Sequence, residues 1–433
     1  MGTVYWEPKA VLTAQVTTVT VGGVLAGETF TISIGGVVMA SHTDTTTVIA
    51  DTVAALVAGI NTSVYPYDDV IVAADTSPSL TLTADPVGLP FAVTLNVPGG
   101  GATFGQAETV ASSSPYNWDL ADNWDTGAVP VNADDVIIAD SAGNICWGLD
   151  QSAVTLASLT VYRSYTGKIG LDRSRFTVTA DGDEYYDPDT YPTVSEYRDD
   201  TLLIGWDKAD FGEEYAPTSV ASSARLKCWN KKAGASVTVV HSVGTAPAED
   251  ELPTMRLMFD NAAAVLYVRQ ASGGVGVGVD RPGEVGTIGK IAVTATTDGT
   301  YVFVGDGITL TTWQQRNGTC RLNAAAAVTT ATVLGGTLYA SGEYAITNLY
   351  VGEIYSDAWF NRTGNRYGGN GKVFANNVPA AGSALGTVNV YGGELHGERC
   401  SQARTWDTVH RRKVGTKLEY DEDFVTITTL DEF

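Results

Sequence analysis

A short strand interrupted by glycine recurs three times between Leu334 and Cys400, in segments 334–339, 349–355 and 388–396. If their glycines share one register, Gly336 to Gly352 spans 16 residues and Gly352 to Gly393 spans 41, so a step of about 20 residues recurs. Each step would be one coil of a solenoid, with alternating apolar side chains inside and glycine where the backbone turns. The repeat therefore predicts a parallel β-helix.

Composition favours strands over helices elsewhere in the chain. The 433 residues include 47 glycines and many β-branched residues, while charged residues make up 17%, a balance typical of strands and tight turns. The formal net charge of −23 argues against binding to phosphate backbones, so we expect no nucleic-acid partner. The N-terminus lacks a secretory pattern and no apolar run has the length of a membrane span, so we expect synthesis in a bacterial cytoplasm and no membrane insertion.

The first quarter of the chain predicts a separate α+β module over residues 12–112, after an N-terminal arm at 1–11. Alternating apolar residues predict two strands before residue 36. Ile49, Val53, Leu56 and Ile60 then mark one face of a helix, and the threonine run at 45–47 is expected to cap it. Three further strands complete the predicted module.

The remaining residues predict the β-helix at 113–400 and a C-terminal cap or tail at 401–433. Glycine, serine and proline near 98–115 indicate a linker. Trp118 and Trp124, each preceded by asparagine, are expected to cover the open end of the solenoid. Loop excursions are predicted near 181–200 and 359–371, and no coils can be assigned over 172–235.

Several of these segments resemble known proteins. The two Asn-Trp pairs with Gly127, Pro130 and Asp134, together with the Gly-Gly-Thr-Leu repeat, resemble the parallel β-helix segments of autotransporter-like and phage structural proteins. The wider layout is similar to a family of uncharacterised proteins from tailed phages and prophages, which we interpret as virion components. The segments that carry this second resemblance are 3–6, 14–21, 158–171 and 196–198.

The resemblance implies a structural role and names no catalytic residue. It implies a rigid β-helical homotrimer in the virion, because three solenoids side by side bury apolar surface that one leaves open. The expected partners are further copies of the chain and the major capsid protein or other virion proteins. We therefore expect a non-enzymatic capsid decoration (cement) protein or fibre.

An alternative is a receptor-binding tail fibre or tailspike that recognises a host surface glycan and is a depolymerase in some forms. Carboxylate pairs such as Asp187 with Asp189 and Asp199 with Asp200 could cleave glycans, but 49 acidic residues produce such pairs by chance. We expect no enzymatic activity. Glycan contact without cleavage is the stronger form of the alternative, through Tyr185, Tyr186, Tyr191 and Tyr197. A loop folded onto its own solenoid, with the tyrosines covering the coil, is the preferred explanation of these residues.

A basic run stands out against the acidic background of the chain. Arg411, Arg412 and Lys413 could dock on an acidic partner, but a solvated strand end is the preferred explanation. The four cysteines and four histidines form no spacing typical of metal ligands. We expect buried free thiols, no metal and no cofactor.

Overall fold

The computed structural model describes residues 2–24, 26–34, 37–62, 71–85, 87–88, 90–96, 102–170, 201–212, 226–242, 253, 255–271, 274–278, 285–295, 299–354, 366–367, 370–397, 402–412 and 416–432. Within these ranges the protein is mostly β, with a single α-helix. The predicted mostly-β class with one small helix is confirmed.

The elements of the first 110 residues are β1 (Thr3–Tyr5), β2 (Val16–Gly22), β3 (Thr29–Ile34), β4 (Val37–Thr43), α1 (Ile49–Asn61), β5 (Ile71–Thr76), β6 (Ser79–Ala84), β7 (Val93–Asn96) and β8 (Thr103–Val110). A 3-10 turn at Ala121–Asn123 follows. The next strands, up to residue 293, are β9 (Asp135–Ile138), β10 (Asp150–Val161), β11 (Leu202–Phe211), β12 (Leu226–Asn230), β13 (Ser236–Ser242), β14 (Met255–Ala271), β15 (Val275–Val277) and β16 (Gly286–Val293).

The last third of the chain contains strands and no helix among its described residues. These are β17 (Tyr301–Val304), β18 (Ile308–Gln315), β19 (Thr319–Leu322), β20 (Val328–Val333), β21 (Thr337–Gly342), β22 (Ile346–Val351), β23 (Glu353–Ile354), β24 (Arg366–Tyr367), β25 (Lys372–Asn377), β26 (Leu385–Val390), β27 (Glu394–Gly397), β28 (Arg404–Arg411), β29 (Lys417–Tyr420) and β30 (Val425–Glu432).

Residues 16–110 form two antiparallel sheets and one helix around their own core. The sheets have the orders β5-β6-β2-β8 and β4-β3-β7, and α1 buries Val53, Leu56 and Ile60 completely. The predicted threonine cap of the helix is wrong, because the N-cap is Val48 without a side-chain hydrogen bond. The Thr46 hydroxyl instead donates to Asp51 at 3.0 Å. Strand β4 was missed because its sequence does not alternate between polar and apolar residues.

The rest of the chain forms two parallel ladders of strands. The first ladder contains β9, β10, β11, β13, β14, β16, β18, β20, β22, β26, β28 and β30, and the second contains β10, β11, β12, β14, β15, β17, β19, β21, β25, β27 and β29, with the long strands β10, β11 and β14 in both. From β15 onward, strands of the two ladders alternate along the chain. Each strand therefore pairs with the next strand of its own ladder, and a strand of the other ladder lies between the two in sequence. One apolar core runs through these strands from Val4 to Val425.

The three glycine segments lie at the turns from the first ladder to the second, but their glycines do not share one register. Thr337 N–H donates to Gly318 O at 2.8 Å and Glu394 N–H donates to Gly371 O at 2.9 Å. One row therefore contains Gly318, Gly336, Gly371 and Gly393. Gly352 lies in the neighbouring row with Leu334 and Tyr391. The single register was wrong because an insertion follows Gly352, and Gly371 takes the turn position beyond it.

The N-terminal arm is part of the first ladder and not a separate segment. Strand β1 pairs in parallel with β9, from Thr3 opposite Asp135 to Tyr5 opposite Ile137. Trp6 and Trp118 both make edge-to-face contacts with Trp124, and all three indoles are buried. The prediction of a separate arm at 1–11 is therefore corrected. Its strand was missed because pairing with residues about 130 positions away leaves no local signal.

The ladders continue past Cys400, so the predicted cap or tail at 401–433 is also corrected. Strand β28 pairs with β26, β29 with β27, and β30 with β28, all in parallel. Apolar residues alternate in this segment too, but it lacks the Gly-Gly pair that marked the earlier repeats. The repeat is therefore defined by the apolar rows and not by glycine.

Two regions depart from the regular pattern of the repeat. Strands β11 and β12 lie within 172–235, where the sequence allowed no coil to be assigned, and both join the ladders. Strands β23 and β24 pair antiparallel with each other, apart from the ladders. Strand β24 lies within the segment at 359–371 where an excursion was predicted, and β23 precedes that segment. Residues 181–200 lie outside the described ranges.

Candidate functional site

Most of the predicted glycan-contact region is not part of the described structure. Tyr185, Tyr186, Tyr191 and Tyr197 lie outside the described residues, and so do the acidic pairs at 187, 189, 199 and 200. The hypothesis of a glycan-binding loop stays a prediction.

The predicted docking run faces acidic residues of the last strand. Arg411 donates to Thr416 O at 2.6 Å and to the Glu432 carboxylate at 2.9 Å. The guanidinium of Arg412 lies 3.7 Å from Asp431, and Lys413 is outside the described residues. A partner that docked on Arg411 and Arg412 would therefore compete with ion pairs inside the chain.

A stripe of ring and charged side chains runs along the outer face of the second ladder. We call it the outer stripe. The pairings put its members in register: Phe303, Arg321, Tyr339, Phe374, His396 and Glu419. Tyr339 and Phe374 stack with centroids 5.0 Å apart and an interplanar angle of 10°, and the His396 ring stacks on Phe374 at 4.7 Å. The Arg321 guanidinium lies 5.5 Å from the Phe303 centroid.

The outer stripe ends in an ionic cluster around His396. Its Nε2 lies 2.8 Å from Glu394, its Nδ1 lies 3.2 Å from Glu419, and Lys372 Nζ lies 3.1 Å from Glu394. The hydrogen bond with His396 holds the pKa of the Glu394 carboxyl below its usual value, and Lys372 contributes in the same direction. Lys417 pairs with Glu419 at 2.5 Å.

The geometry of the stripe indicates what it can bind. Sugars stack on open ring faces, but the faces of Tyr339 and Phe374 are turned towards each other. Only ring edges and charged groups remain for an outside molecule. The stripe therefore stabilises the stacking of neighbouring strands better than it fits a glycan platform.

A second surface lies on the outer side of the first ladder and carries no charge over four successive strands. We call it the neutral face. Its twelve positions on β18, β20, β22 and β26 are Thr311, Thr312, Gln314, Thr329, Thr330, Thr332, Thr347, Asn348, Tyr350, Gly386, Thr387 and Asn389. Lys290 precedes it and Asp407 follows it in the ladder. In a chain of net charge −23, an uncharged face of this kind would add no repulsion between identical copies.

The neutral face was missed because pairing across the ladder is not visible locally. One signal was present in the sequence: Thr311-Thr312 and Thr329-Thr330 are 18 residues apart, and Thr347-Asn348 follows after another 18. These pairs mark a bend with two successive outward side chains, which strict strand alternation does not predict.

The prediction of buried free thiols is confirmed for the three cysteines that the structure describes. Cys146, Cys228 and Cys320 are buried and unbonded to each other, and burial raises the pKa of Cys228 to about 12. Among the described residues, no group of three histidine, cysteine or acidic side chains is arranged to hold a metal ion. The described α-helix has 13 residues and is too short to cross a membrane.

Comparison of the chain with protein-family models, with curated proteins and with solved structures gave no match in any of the three.

Proposed function

We propose that the chain is a structural protein of a bacteriophage virion, a capsid decoration (cement) protein or fibre built as a rigid parallel β-helix. In this proposal the two ladders are sides of one solenoid and each repeat is a coil. The observation that carries it is the continuous apolar core from Val4 to Val425, assembled from strands in parallel register. No catalytic step is part of the proposed role.

The proposed mechanism is mechanical. Each strand satisfies its backbone hydrogen bonds on its neighbours in the ladder, and each inward row buries side chains against the next row. A chain built in this way resists bending and proteolysis without a cofactor, as an exposed virion component requires.

We further propose that the protein is a homotrimer and that the neutral face is the centre of the contact between copies. Charged residues are depleted at the cores of protein interfaces, and this face lacks charge on four successive strands. Its twelve residues are fewer than the roughly 20–30 that each side of a stable interface contributes. Flanking residues complete the contact in this proposal.

The test of the trimer adds charge to the neutral face. The double variant Thr330→Glu, Thr387→Glu should shift the mass measured by light scattering from three chains to one, because like charges face each other across the contact. Ser152→Glu with Ala153→Glu adds the same charge at exposed positions of β10 and should leave the mass unchanged. A single-chain mass for the unmodified protein, or equal effects of the two variants, would refute the trimer contact.

The virion role is tested by cryo-electron microscopy of particles from the source, with mass spectrometry of the same particles. Rod-shaped density on the capsid that fits the two ladders would support decoration. Density at the tail tip would favour the receptor-binding alternative, and glycan arrays would then be the next assay. Particles without this chain would refute a virion role.

A further inference from the structure

The two ends of the ladders differ in how their edges are covered. At the N-terminal end, residues 123–125 run along the outer edge of β1. Asp125 N–H donates to Tyr5 O at 3.0 Å, and Glu7 N–H donates to Asn123 O at 2.8 Å. Buried Trp118 and Trp124 lie in the same segment. The backbone groups and the core at this end are therefore shielded from a partner.

The C-terminal end lacks such a cover among the described residues. Strand β30 pairs with β28 and strand β29 with β27, and neither has a second described neighbour. The consequence is visible in one inward row: Val388 and Val409 are 0% exposed, whereas Leu430 in the same row is 44% exposed. The apolar core thus reaches solvent at this end.

The edge of β30 has the properties of a strand that accepts another strand. In a ladder strand with one partner, about half of the backbone N–H and C=O groups point away from that partner. The sequence Val-Thr-Ile-Thr-Thr-Leu-Asp-Glu contains no proline and no lysine, and its charged residues, which also protect edges, are confined to Asp431 and Glu432 at its end. An extended segment could therefore continue the ladder by strand addition.

The charge of the C-terminal end determines which kind of segment can bind beside β30. Residues 417–432 contain six acidic residues, at 419, 421, 422, 423, 431 and 432, and one basic residue, Lys417. Asp431 and Glu432 already meet His410 and Arg411, so the turn at 421–423 carries much of the remaining negative charge. Two such ends would repel each other, and the N-terminal end is covered. A second copy of the chain is therefore a poor occupant, end to end or head to tail.

We propose that the C-terminal end binds an extended basic segment of a partner protein, which pairs with β30, covers Leu430 and places lysine or arginine beside the acidic turn at 421–423. This inference is independent of the virion role, because it rests on the edge, the exposed apolar row and the charge of the last repeat.

The experiment uses the full chain and fluorescent peptides of about eight residues, the length of β30. One peptide alternates valine with lysine, a second alternates valine with glutamate, and a third is the lysine peptide with proline at its centre. We expect the lysine peptide to bind about tenfold more tightly than either of the others at about 0.15 M salt. Equal affinities, or no binding by the lysine peptide, would overturn the proposal.

Two further measurements locate the binding. Glu422→Lys with Asp423→Lys should weaken binding of the lysine peptide about tenfold, whereas Asp85→Lys with Glu108→Lys, at exposed sites of the N-terminal module, should leave it unchanged. Hydrogen exchange should show slower exchange of the β30 amides in the complex, which a purely ionic contact would not produce. Strand addition would be overturned if the exchange rates of the β30 amides did not change on binding, or if both double variants lost the same affinity for the lysine peptide.

Discussion

At the scale of single residues, Gly336 shows why glycine recurs at the turns between the ladders. Its φ is 73°, and a Cβ at this position would lie 2.2 Å from Gly318 O. Both the left-handed backbone and the close approach of the previous turn therefore exclude a side chain. Gly336 is therefore needed so that successive turns can pack closely against each other, and not for flexibility.

Gly336→Ala should lower the free energy of unfolding by about 2 kcal/mol or more, from backbone strain and the clash with Gly318. Thermal or urea unfolding followed by circular dichroism measures this loss. Gly105→Ala is the matched control, because a Cβ there would have no atom within 4 Å and its effect should stay within about 0.5 kcal/mol. Equal losses in the two variants would contradict the role given to the turn.

Glu394 makes stability depend on acid pH. Its carboxyl has a pKa below the usual 4.5 because of the hydrogen bond with His396 and the charge of Lys372. Since the folded pKa is the lower one, its contribution is complete above the unfolded pKa and is lost as pH falls through the folded pKa. Glu394→Gln should therefore lower the melting temperature at pH 7, and this effect should fade as the pH falls from 4.5 through the lower pKa of the folded state. A difference that stays constant from neutral to acid pH would contradict this assignment.

At the scale of elements, the side chain of Asn123 joins the segment that follows β1 to the 3-10 turn through hydrogen bonds. Its Oδ1 accepts from Lys9 N–H at 3.1 Å and from Ala10 N–H at 3.0 Å, and its Nδ2 donates to Ser114 O and Asn117 O, both at 2.9 Å. The side chain is fully buried. All four hydrogen bonds of one amide thus hold the N-terminal strand over the end of the ladder.

Asn123→Ala should cost about 2 kcal/mol or more, because two buried carbonyls and two amides lose their partner. The N-terminal segment should detach first, so trypsin should cleave after Lys9 faster than in the unmodified protein. Asn61→Ala is the control, because it removes a comparable pair of side-chain hydrogen bonds to the Ala73 backbone within the N-terminal module. Cleavage after Lys9 should keep its original rate in this variant. Slow cleavage in both variants would show that β1 is held mainly by its ladder partner.

At the scale of the whole molecule, the chain has a net charge of −23, and its negative side chains repel one another. Raising sodium chloride from about 0.05 M to about 0.5 M shortens the range of this repulsion to a few ångströms. The melting temperature should rise over this interval, as measured by scanning calorimetry. Potassium chloride is the control, because screening depends on ionic strength and should be the same for both salts. An unchanged or lower melting temperature would show that repulsion is balanced within the fold.

Sequence patterns were sufficient where the relevant contacts are local or repeat regularly. The apolar spacing at Ile49, Val53, Leu56 and Ile60 predicted a helix that the structure places at Ile49–Asn61. The helical cap was wrong because Val48 takes the N-cap position and the Thr46 hydroxyl bonds to the Asp51 side chain instead of a backbone amide of the helix. The neutral face and the outer stripe escaped prediction because their members are 18 or more residues apart.

The sequence by itself determined the β-rich class, the N-terminal helix and the inward rows, because the period of apolar residues depends only on backbone geometry. Tertiary structure decided which strands pair, that β1 closes one end and that β30 leaves the other open. Those features depend on hydrogen bonds between distant residues, and insertions of unequal length shift the register between one turn of the chain and the next. Only the folded chain shows which rows align, and therefore which surfaces are neutral, stacked or exposed.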